Sequence, residues 1–254
     1  MYQSYAATRS EKDRKFLQQS QCKTQQITIC CPIESPTSTL LPTAPHCGIN
    51  LKDKIFGGSQ TELNEFPWTA LLGYTNDNNR PIQFNCGGSL INNRYVITAA
   101  HCLTKSLSIV RLGEWDLSQE IDCDHLIIDE HCAPKPIDIK ISEKIMHENY
   151  RRVTSSLEDD IGLLRLENQV TYNEYIMPVC MSPEIKSFVW KYLTVVGFGR
   201  TEYSGNKNND IKLKLEIQAV PNETCDQKFI KHGIKLTSKQ ICAGGENGKD
   251  SCAG

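Results

Sequence analysis

A chain of 254 residues with 39% hydrophobic residues can form one large β domain, or a domain together with a small module. Its formal net charge of −2 gives no electrostatic reason to expect a nucleic acid or an anionic membrane as partner. The sequence also contains no apolar run of the length that spans a bilayer. We therefore expect neither nucleic acid nor membrane among the partners.

The chain contains 12 cysteines and no CxxC motif, which indicates disulfide bonds and an oxidising compartment. A reduced metalloprotein is the alternative. Residues 1–21 are polar and lack the apolar core of a signal peptide, so secretion implies that the true N-terminus lies upstream of Met1. Asn222-Glu223-Thr224 is a glycosylation sequon that agrees weakly with secretion.

The first part of the chain has few residues that could form a hydrophobic core. Residues 1–33 include a strand-like piece that ends in the adjacent Cys30 and Cys31, which cannot easily bond to each other. Residues 34–54 are rich in proline, serine and threonine and indicate a linker. Short β-type runs separated by turn residues begin at Ile55 and predict an all-β sandwich or barrel.

Two runs in this second part alternate strictly between apolar and polar residues. They are residues 137–141 and residues 211–219. Because successive side chains of a strand point to opposite sides, each run predicts a strand with one buried and one exposed face.

An apolar, β-branched run at residues 95–98 predicts a strand packed into a core. Two alanines follow it, and then His101 and Cys102. A core strand that delivers an imidazole beside a disulfide-forming cysteine would fix a general base in place. We therefore predict that His101 is catalytic.

A cluster of acids directly precedes the apolar run at residues 161–166. A catalytic histidine needs a buried carboxylate to hold one tautomer and to stabilise the imidazolium. Asp160 adjoins the apolar run and is better placed for this role than Asp159. Taken alone, an acid at the start of a strand is usually a turn residue.

Lys54-Ile55-Phe56-Gly57-Gly58 has the chemistry of an activation site. Cleavage after Lys54 would create an α-amino group on Ile55, and the glycines would let the new terminus swing inward to a carboxylate. The simpler alternative is a basic residue before a strand and a turn.

The segment 114–132 is rich in acids and contains neither lysine nor arginine. Clustered oxygen ligands suit Ca²⁺, with Glu114 and Asp116 as candidate ligands, whereas solvated surface acids are the alternative. Cys123, His125, His131 and Cys132 also offer a Cys₂His₂ zinc set. Adjacent His131 and Cys132 are poorly placed to reach one ion.

Four motifs together resemble the chymotrypsin-like serine proteases. They are Thr-Ala-Ala-His-Cys around His101, Asp160 before Ile-Gly-Leu-Leu, Lys54 before Ile-Phe-Gly-Gly, and the closing Asp-Ser-Cys-Ala-Gly. The resemblance covers residues 55–254. Residues 1–33 resemble the C-terminal half of a clip domain, and the combination resembles insect clip-domain proteases of haemolymph cascades.

The resemblance implies two six-stranded antiparallel β-barrels, with the second barrel incomplete. It divides the chain into a partial clip domain at 1–33, a linker and activation segment at 34–54, and a protease domain at 55–254. It makes His101 the general base, Asp160 its orienting acid and Gly254 an oxyanion-hole donor. It places Asp250 at the floor of the primary specificity pocket, where a carboxylate selects lysine or arginine.

The resemblance also implies a set of disulfides. They are Cys47–Cys180, Cys86–Cys102, Cys123–Cys132 and Cys225–Cys242. The remaining cysteines lie near the two ends of the chain, and we therefore expect truncation at both ends. The nucleophilic serine is expected just after Gly254 and is not part of this sequence.

These expectations describe a secreted serine endopeptidase zymogen of an extracellular cascade such as innate immunity. It would be activated by an upstream protease cutting after Lys54, and it would cut protein substrates after lysine or arginine. Serpin inhibitors are further expected partners, no cofactor is required, and the 114–132 segment is a possible Ca²⁺ site.

Two alternatives stay open. A non-catalytic serine protease homologue would act as a binding cofactor in such a cascade, but intact His101, Asp160 and Asp250 favour the enzyme. The residues encoded after Gly254 would decide between them. A genuine product of this length would be inactive and unstable, because missing strands expose a sheet edge.

Overall fold

The computed structural model describes part of the chain, namely residues 41–50, 59–75, 81–124, 131–150, 158–181, 189–199, 209–230 and 236–244. The predicted clip-like segment at 1–33, most of the linker and the end of the chain from residue 245 lie outside the described residues. No helix within the described ranges is long and apolar enough to cross a bilayer.

The described ranges form twelve β-strands, one 3-10 helix and one α-helix. The strands are β1 (Ser59–Gln60), β2 (Thr69–Tyr74), β3 (Gln83–Leu90), β4 (Tyr95–Thr98), β5 (Leu107–Leu112), β6 (Cys123–Asp124), β7 (His131–Cys132), β8 (Ile137–Met146), β9 (Gly162–Leu166), β10 (Tyr192–Gly197), β11 (Leu213–Val220) and β12 (Cys242–Ala243). The 3-10 helix is Ala100–Cys102 and α1 is Asn222–Phe229.

Six of these strands close into an antiparallel barrel in the order β2-β3-β4-β9-β8-β5. Alternate side chains of the strands point inward and fill the barrel with aliphatic groups. Eight of them have a relative exposure of 0%: Ala70, Leu72, Leu90, Val96, Val110, Leu112, Leu164 and Leu166. The core strand predicted at residues 95–98 is confirmed as β4.

The alternating run at residues 137–141 is confirmed as the first half of β8. Ile139 is buried between the exposed Asp138 and Lys140, as the alternation predicts, whereas Ile137 on the same face is exposed and Ile141 is only partly buried. The β8 strand pairs with β5 on one side and with β9 on the other, which closes the barrel.

The second sheet is open in the described ranges and has the order β1-β11-β10, with β12 also paired to β11. The alternating run at residues 211–219 forms β11 from Leu213 onward, and Ile211 makes an isolated bridge to Asp116 instead. Lys212 and Lys214 occupy the buried positions at this end, whereas the neighbouring leucines are only partly buried. The apolar side of the pattern is therefore not the more buried side here.

A buried ion pair explains the inward orientation of Lys214. Its Nζ atom lies 2.8 and 2.7 Å from the two carboxylate oxygens of Glu65, and the side chains are only 7% and 4% exposed. Burial lowers the pKa of the neighbouring Lys212 to about 8, and the carboxylates of Glu65, Asp122 and Glu114 partly offset this effect. The start of β11 is thus fixed by buried charges.

Backbone groups and the Trp115 indole form a short hydrogen-bonded ladder beside these charges. The Thr61 N–H donates to the Lys212 carbonyl at 3.0 Å, and the Lys212 N–H donates to the Trp115 carbonyl at 2.9 Å. The indole N–H of Trp115 in turn donates to the Thr61 carbonyl at 2.9 Å. The segment that follows β5 is therefore attached to β11 and to the chain just after β1.

Replacing Lys214 by methionine removes the ammonium bonded to the buried Glu65 carboxylate. We expect Lys214→Met to lower the free energy of unfolding by about 3–5 kcal/mol, measured by urea denaturation with the disulfides intact. The double variant with Glu65→Gln should recover part of that loss. Exposed Lys140 on β8 supplies the matched control, since Lys140→Met should change stability by less than about 0.5 kcal/mol. Equal losses in both lysine variants would contradict the role of the pair.

Candidate active site

The register of two barrel strands brings His101 and Asp160 together. Strand β4 is antiparallel to β9, and Thr98 at the end of β4 pairs with Gly162 at the start of β9. His101 follows the end of β4 in the 3-10 helix, and Asp160 precedes the start of β9. Antiparallel pairing therefore places two residues that are distant in sequence at the same rim of the barrel.

The Asp160 carboxylate accepts two hydrogen bonds from His101. One oxygen lies 2.7 Å from the ring Nδ1, and the other accepts from the His101 backbone N–H at 2.8 Å. A carboxylate at Nδ1 selects the tautomer that carries its proton there, so Nε2 is the nitrogen able to accept a proton. The two side chains are 44% and 19% exposed, which leaves the imidazole accessible from solvent.

The backbone beside the imidazole is fixed from the barrel side. Cys102 forms a disulfide to Cys86 of β3, with an S–S distance of 2.08 Å. The hydroxyl of buried Tyr74 donates to the Cys102 carbonyl at 2.9 Å. Burial raises the pKa of Tyr74 to about 12, so this phenol keeps its proton at neutral pH. A covalent bond and a hydrogen bond thereby fix Cys102, the residue next to His101.

Gly162 permits the close packing that brings the acid to the histidine. A Cβ atom added there would lie 2.9 Å from Cδ2 of Leu103 and 3.2 Å from the carbonyl oxygen of Ile145. A side chain at this position would require the Leu103 side chain to move and the Ile145 carbonyl to shift by a few tenths of an ångström. The glycine in the Ile-Gly-Leu-Leu motif thus has a steric role.

His101 lies between two clefts. The larger has a volume of about 250 Å³ and is lined by residues that include Gln83, Asn85 and Thr104. The smaller, of about 150 Å³, is bounded by apolar groups together with Tyr150. An extended peptide could therefore pass the imidazole with side chains on both sides.

The structure contains all four disulfides that the resemblance implied. The S–S distances are 1.94 Å for Cys47–Cys180, 2.08 Å for Cys86–Cys102, 2.10 Å for Cys123–Cys132 and 1.94 Å for Cys225–Cys242. The sulfurs of Cys86 and Cys102 also lie within 4.8 Å of a His101 ring nitrogen. Because these sulfurs are bonded to each other, they do not form a metal site.

Three acids of the 114–132 segment are buried rather than solvated. Glu114, Asp116 and Asp122 are 4%, 9% and 2% exposed. The Asp122 carboxylate accepts from the backbone N–H groups of Trp115 and Asp116 at 2.9 and 3.2 Å. Burial raises the pKa of the Glu114 and Asp122 carboxyl groups. These acids therefore tie the loop to its own backbone.

The two predicted calcium ligands do not form a cation cradle. The Glu114 carboxylate accepts from the Trp115 N–H and from Arg111, and Asp116 accepts from both donors of Ser118. Within the described residues, no three acids of this segment bring an oxygen each within 4.8 Å of one another. Calcium binding therefore stays a prediction that these contacts do not favour.

The zinc alternative loses its sulfur ligands. Cys123 and Cys132 are bonded to each other, and His131 uses its Nε2 atom in a hydrogen bond of 2.7 Å with the Tyr175 hydroxyl. His125 lies outside the described residues. The described part of this segment is held by a disulfide and buried hydrogen bonds.

A profile of the trypsin family, described as Trypsin, matches residues 55–254. The chain belongs to the trypsin family of serine proteases. The match begins at Ile55, the residue at which the sequence pattern changes to short β runs.

Two curated relatives extend the likeness beyond the protease domain. Melanization protease 1 of Drosophila melanogaster is 38% identical, with 96% of this chain and 72% of the relative covered. The CLIP domain-containing serine protease B4 of Anopheles gambiae is also 38% identical, with 95% and 69% covered.

The fold agrees with a solved trypsin-family structure. The crystal structure of the Drosophila Grass clip serine protease of the Toll pathway superposes with a TM-score of 0.69 at 28% identity. The match covers 96% of this chain and 70% of that chain. The chymotrypsin-like fold and the resemblance to clip-domain trypsin-like proteases are confirmed, whereas the clip domain itself lies outside the described residues.

Several predicted site residues of this trypsin-family chain also lie outside the described residues. They are Lys54 and Ile55 of the activation site, Asp250 of the specificity pocket and Gly254 of the oxyanion hole. Their roles stay predictions. His101 and Asp160 are the predicted catalytic residues that the described structure brings together.

Asn222 of the predicted sequon is engaged in the fold. Its Nδ2 atom donates to the carbonyl oxygens of Thr237 and Gln240, both at 3.1 Å, and its Oδ1 atom accepts from the Cys242 N–H at 3.2 Å. A glycan attached to Nδ2 would leave that atom only one hydrogen to donate to the two carbonyl oxygens. The glycosylation prediction therefore conflicts with the contacts that Asn222 makes.

The sequence did not indicate the contacts of Asp159, the residue before Asp160. Asp159 has a φ of +57°, a left-handed backbone conformation that aspartate tolerates better than most residues. Its carboxylate contacts Lys239, which lies in the turn before β12, and lies near His147. The adjacent acids Asp159 and Asp160 before β9 marked this position in the sequence, but nothing in the sequence indicated that Lys239 would contact Asp159.

The calcium prediction can be tested by thermal unfolding. The buried hydrogen bonds of Glu114, Asp116 and Asp122 predict that EDTA leaves the melting temperature of the protein unchanged. A calcium site would instead lower the melting temperature in EDTA and restore it when Ca²⁺ is added. A response that disappears in Glu114→Gln would establish the site and contradict our expectation.

The state of Asn222 can be tested by mass spectrometry of secreted protein from insect cells. Because both Nδ2 hydrogens are used in the fold, we expect no mass change at Asn222 after digestion with an N-glycosidase. Thr224→Ala removes the sequon and should leave the secreted yield unchanged, whereas Asn222→Ala removes the hydrogen bonds and should lower it. A glycan on Asn222 in folded protein would contradict the expectation.

Proposed function

We propose that this trypsin-family chain is part of a secreted serine endopeptidase zymogen that acts through a nucleophilic serine. The observation that carries the proposal is the Asp160 carboxylate, which accepts hydrogen bonds from the ring Nδ1 and the backbone N–H of His101. Two clefts flank this imidazole and leave room for a peptide. Family membership supports the same chemistry.

In the proposed reaction, Nε2 of His101 takes the proton of the serine hydroxyl as its oxygen attacks the scissile carbonyl carbon. Asp160 keeps the Nδ1 proton in place and stabilises the imidazolium that forms. The backbone N–H of Gly254 would donate to the developing oxyanion. His101 then gives its proton to the leaving amine, and water repeats the sequence on the acyl-enzyme.

Specificity and activation rest on residues at the two ends of the protease domain. Asp250 would pair with a lysine or arginine side chain of the substrate. Cleavage after Lys54 would free the Ile55 amine for an internal carboxylate. The Cys47–Cys180 disulfide supports a tethered activation product, because it links the chain on the N-terminal side of Lys54 to the protease domain.

The relatives support a role in an extracellular cascade. One is named for melanization, and the Grass structure is described as a protease of the Toll pathway. Four disulfides support a protein that folds in an oxidising compartment. We therefore propose protein substrates, an upstream activating protease and serpin inhibitors as partners, with innate immunity as the setting.

The proposal predicts that full-length protein cut after Lys54 hydrolyses arginine-based peptide substrates. Asp160→Asn should lower kcat by about 10⁴-fold, because an amide no longer fixes the Nδ1–H tautomer of His101. Asp250→Ser should remove the preference for arginine over aromatic residues while a general serine-directed probe still reacts. Kinetics on active-site-titrated enzyme measure both effects.

A fluorophosphonate probe separates the enzyme from a non-catalytic homologue. Correctly folded protein cut after Lys54 should be labelled, and His101→Ala should not be. Absence of labelling in the parent protein, or glycine encoded at the serine position, would reject the enzyme and favour a binding cofactor.

A further inference from the structure

The turn that presents the catalytic acid is held by its neighbour. The Ile161 N–H donates to the Asp159 carbonyl at 2.8 Å, which closes a short turn centred on Asp160. The Ile161 carbonyl accepts from the His147 N–H at 3.1 Å, which joins the turn to the end of β8. Asp159 begins this turn, and its side chain can fix the turn without touching His101.

The Asp159 carboxylate faces a cation from the turn that precedes β12. Its Oδ1 atom lies 3.0 Å from Nζ of Lys239, while Nδ1 of His147 lies 4.0 Å away. Asp159 is only 13% exposed, whereas Lys239 is 64% exposed. The ion pair and its hydrogen bond raise the pKa of Lys239, so the ammonium is charged at neutral pH.

Lys239 is carried by a turn that α1 holds in place. Asn222 donates to both ends of this turn, at the carbonyl oxygens of Thr237 and Gln240. Asp226 accepts from the Leu236 N–H at 2.8 Å, just before the turn. The Cys225–Cys242 disulfide joins α1 to β12 just after it. The lysine thus reaches Asp159 from a fixed support.

Stability alone does not explain this arrangement, since ion pairs with one exposed partner contribute little to folding free energy. The pair instead joins the turn before β9 to the turn before β12, at the residue next to Asp160. We propose that Lys239 is a positioning residue: by holding Asp159, it fixes the turn that aims the Asp160 carboxylate at His101. This inference rests on the proposed function, in which Asp160 orients the general base.

Kinetics provide the first test, in full-length protein cut after Lys54. Lys239→Gln and Asp159→Asn each break the pair, and asparagine keeps the tolerance for a positive φ. Each should lower kcat by about three- to tenfold with KM unchanged, since ground-state binding is not touched. Lys239→Arg should retain activity, because arginine supplies the same charge. The matched control is Lys228→Gln, an exposed lysine of α1 that should behave as the parent protein.

The direction of the two effects separates positioning from a simple change of charge. If electrostatics alone were responsible, removing a positive charge and removing a negative charge near His101 would change kcat in opposite directions. A broken contact predicts losses of the same sign and a double variant no worse than either single variant. Opposite signs would overturn the proposal.

A spectroscopic readout tests the same idea without relying on activity. With ¹⁵N-labelled histidine, NMR at a pH where the rings are neutral reports which ring nitrogen carries the proton. His101 should be the Nδ1–H tautomer, and His147 should be the Nε2–H tautomer, because its Nδ1 accepts from the Asn149 N–H at 3.3 Å. Lys239→Gln and Asp159→Asn should raise the Nε2–H fraction of His101 and leave His147 as the internal reference.

An unchanged His101 tautomer in both variants would overturn the positioning role, whatever happens to kcat. An inactive parent protein whose His101 tautomer still responds to Lys239→Gln would reject the proposed function and retain the positioning role. The two proposals can therefore fail separately.

Discussion

The site depends on the Asp160 carboxylate holding His101 at two atoms, one in the ring and one in the backbone. Two bonds from one carboxylate fix both the tautomer and the orientation of the imidazole. The pairing of β4 with β9 brings the two residues to one rim of the barrel. Gly162 permits the close approach, and the Cys86–Cys102 disulfide holds the backbone beside the histidine. The barrel thus supports a geometry that neither residue could keep alone.

Buried charges connect this barrel to the second sheet. Lys214 and Glu65 form an ion pair with almost no exposure, and Lys212 lies among carboxylates from two loops. Removal of such charges from water is costly, so each needs its partner in place. Acids that seemed suited to a metal ion accept hydrogen bonds from the loop backbone instead. The carboxylates that predicted a calcium site therefore hold the loop to its own backbone.

Much of the fold could be predicted because local sequence patterns indicate where the individual strands form. Residues 95–98 form an apolar β-branched run and residues 137–141 alternate, and both are strands in the structure. The histidine and its acid could be named because each adjoins an apolar run. The pattern at Lys212 and Lys214 could not show its buried side, because alternation specifies two faces but not which one meets buried partners. The partner, Glu65, is distant in sequence.

By itself, the sequence determined the chemical types at the site: an imidazole, an acid and cysteines placed beside predicted strands. Local backbone preference and motif order are sufficient for that. Only the tertiary structure decided that Asp159 meets Lys239 from a distant turn, and that Asn222 holds the turn carrying this lysine. It also placed Glu114, Asp116 and Asp122 in the interior rather than in solvent. These contacts depend on strand register and on packing between distant segments, which no local pattern specifies.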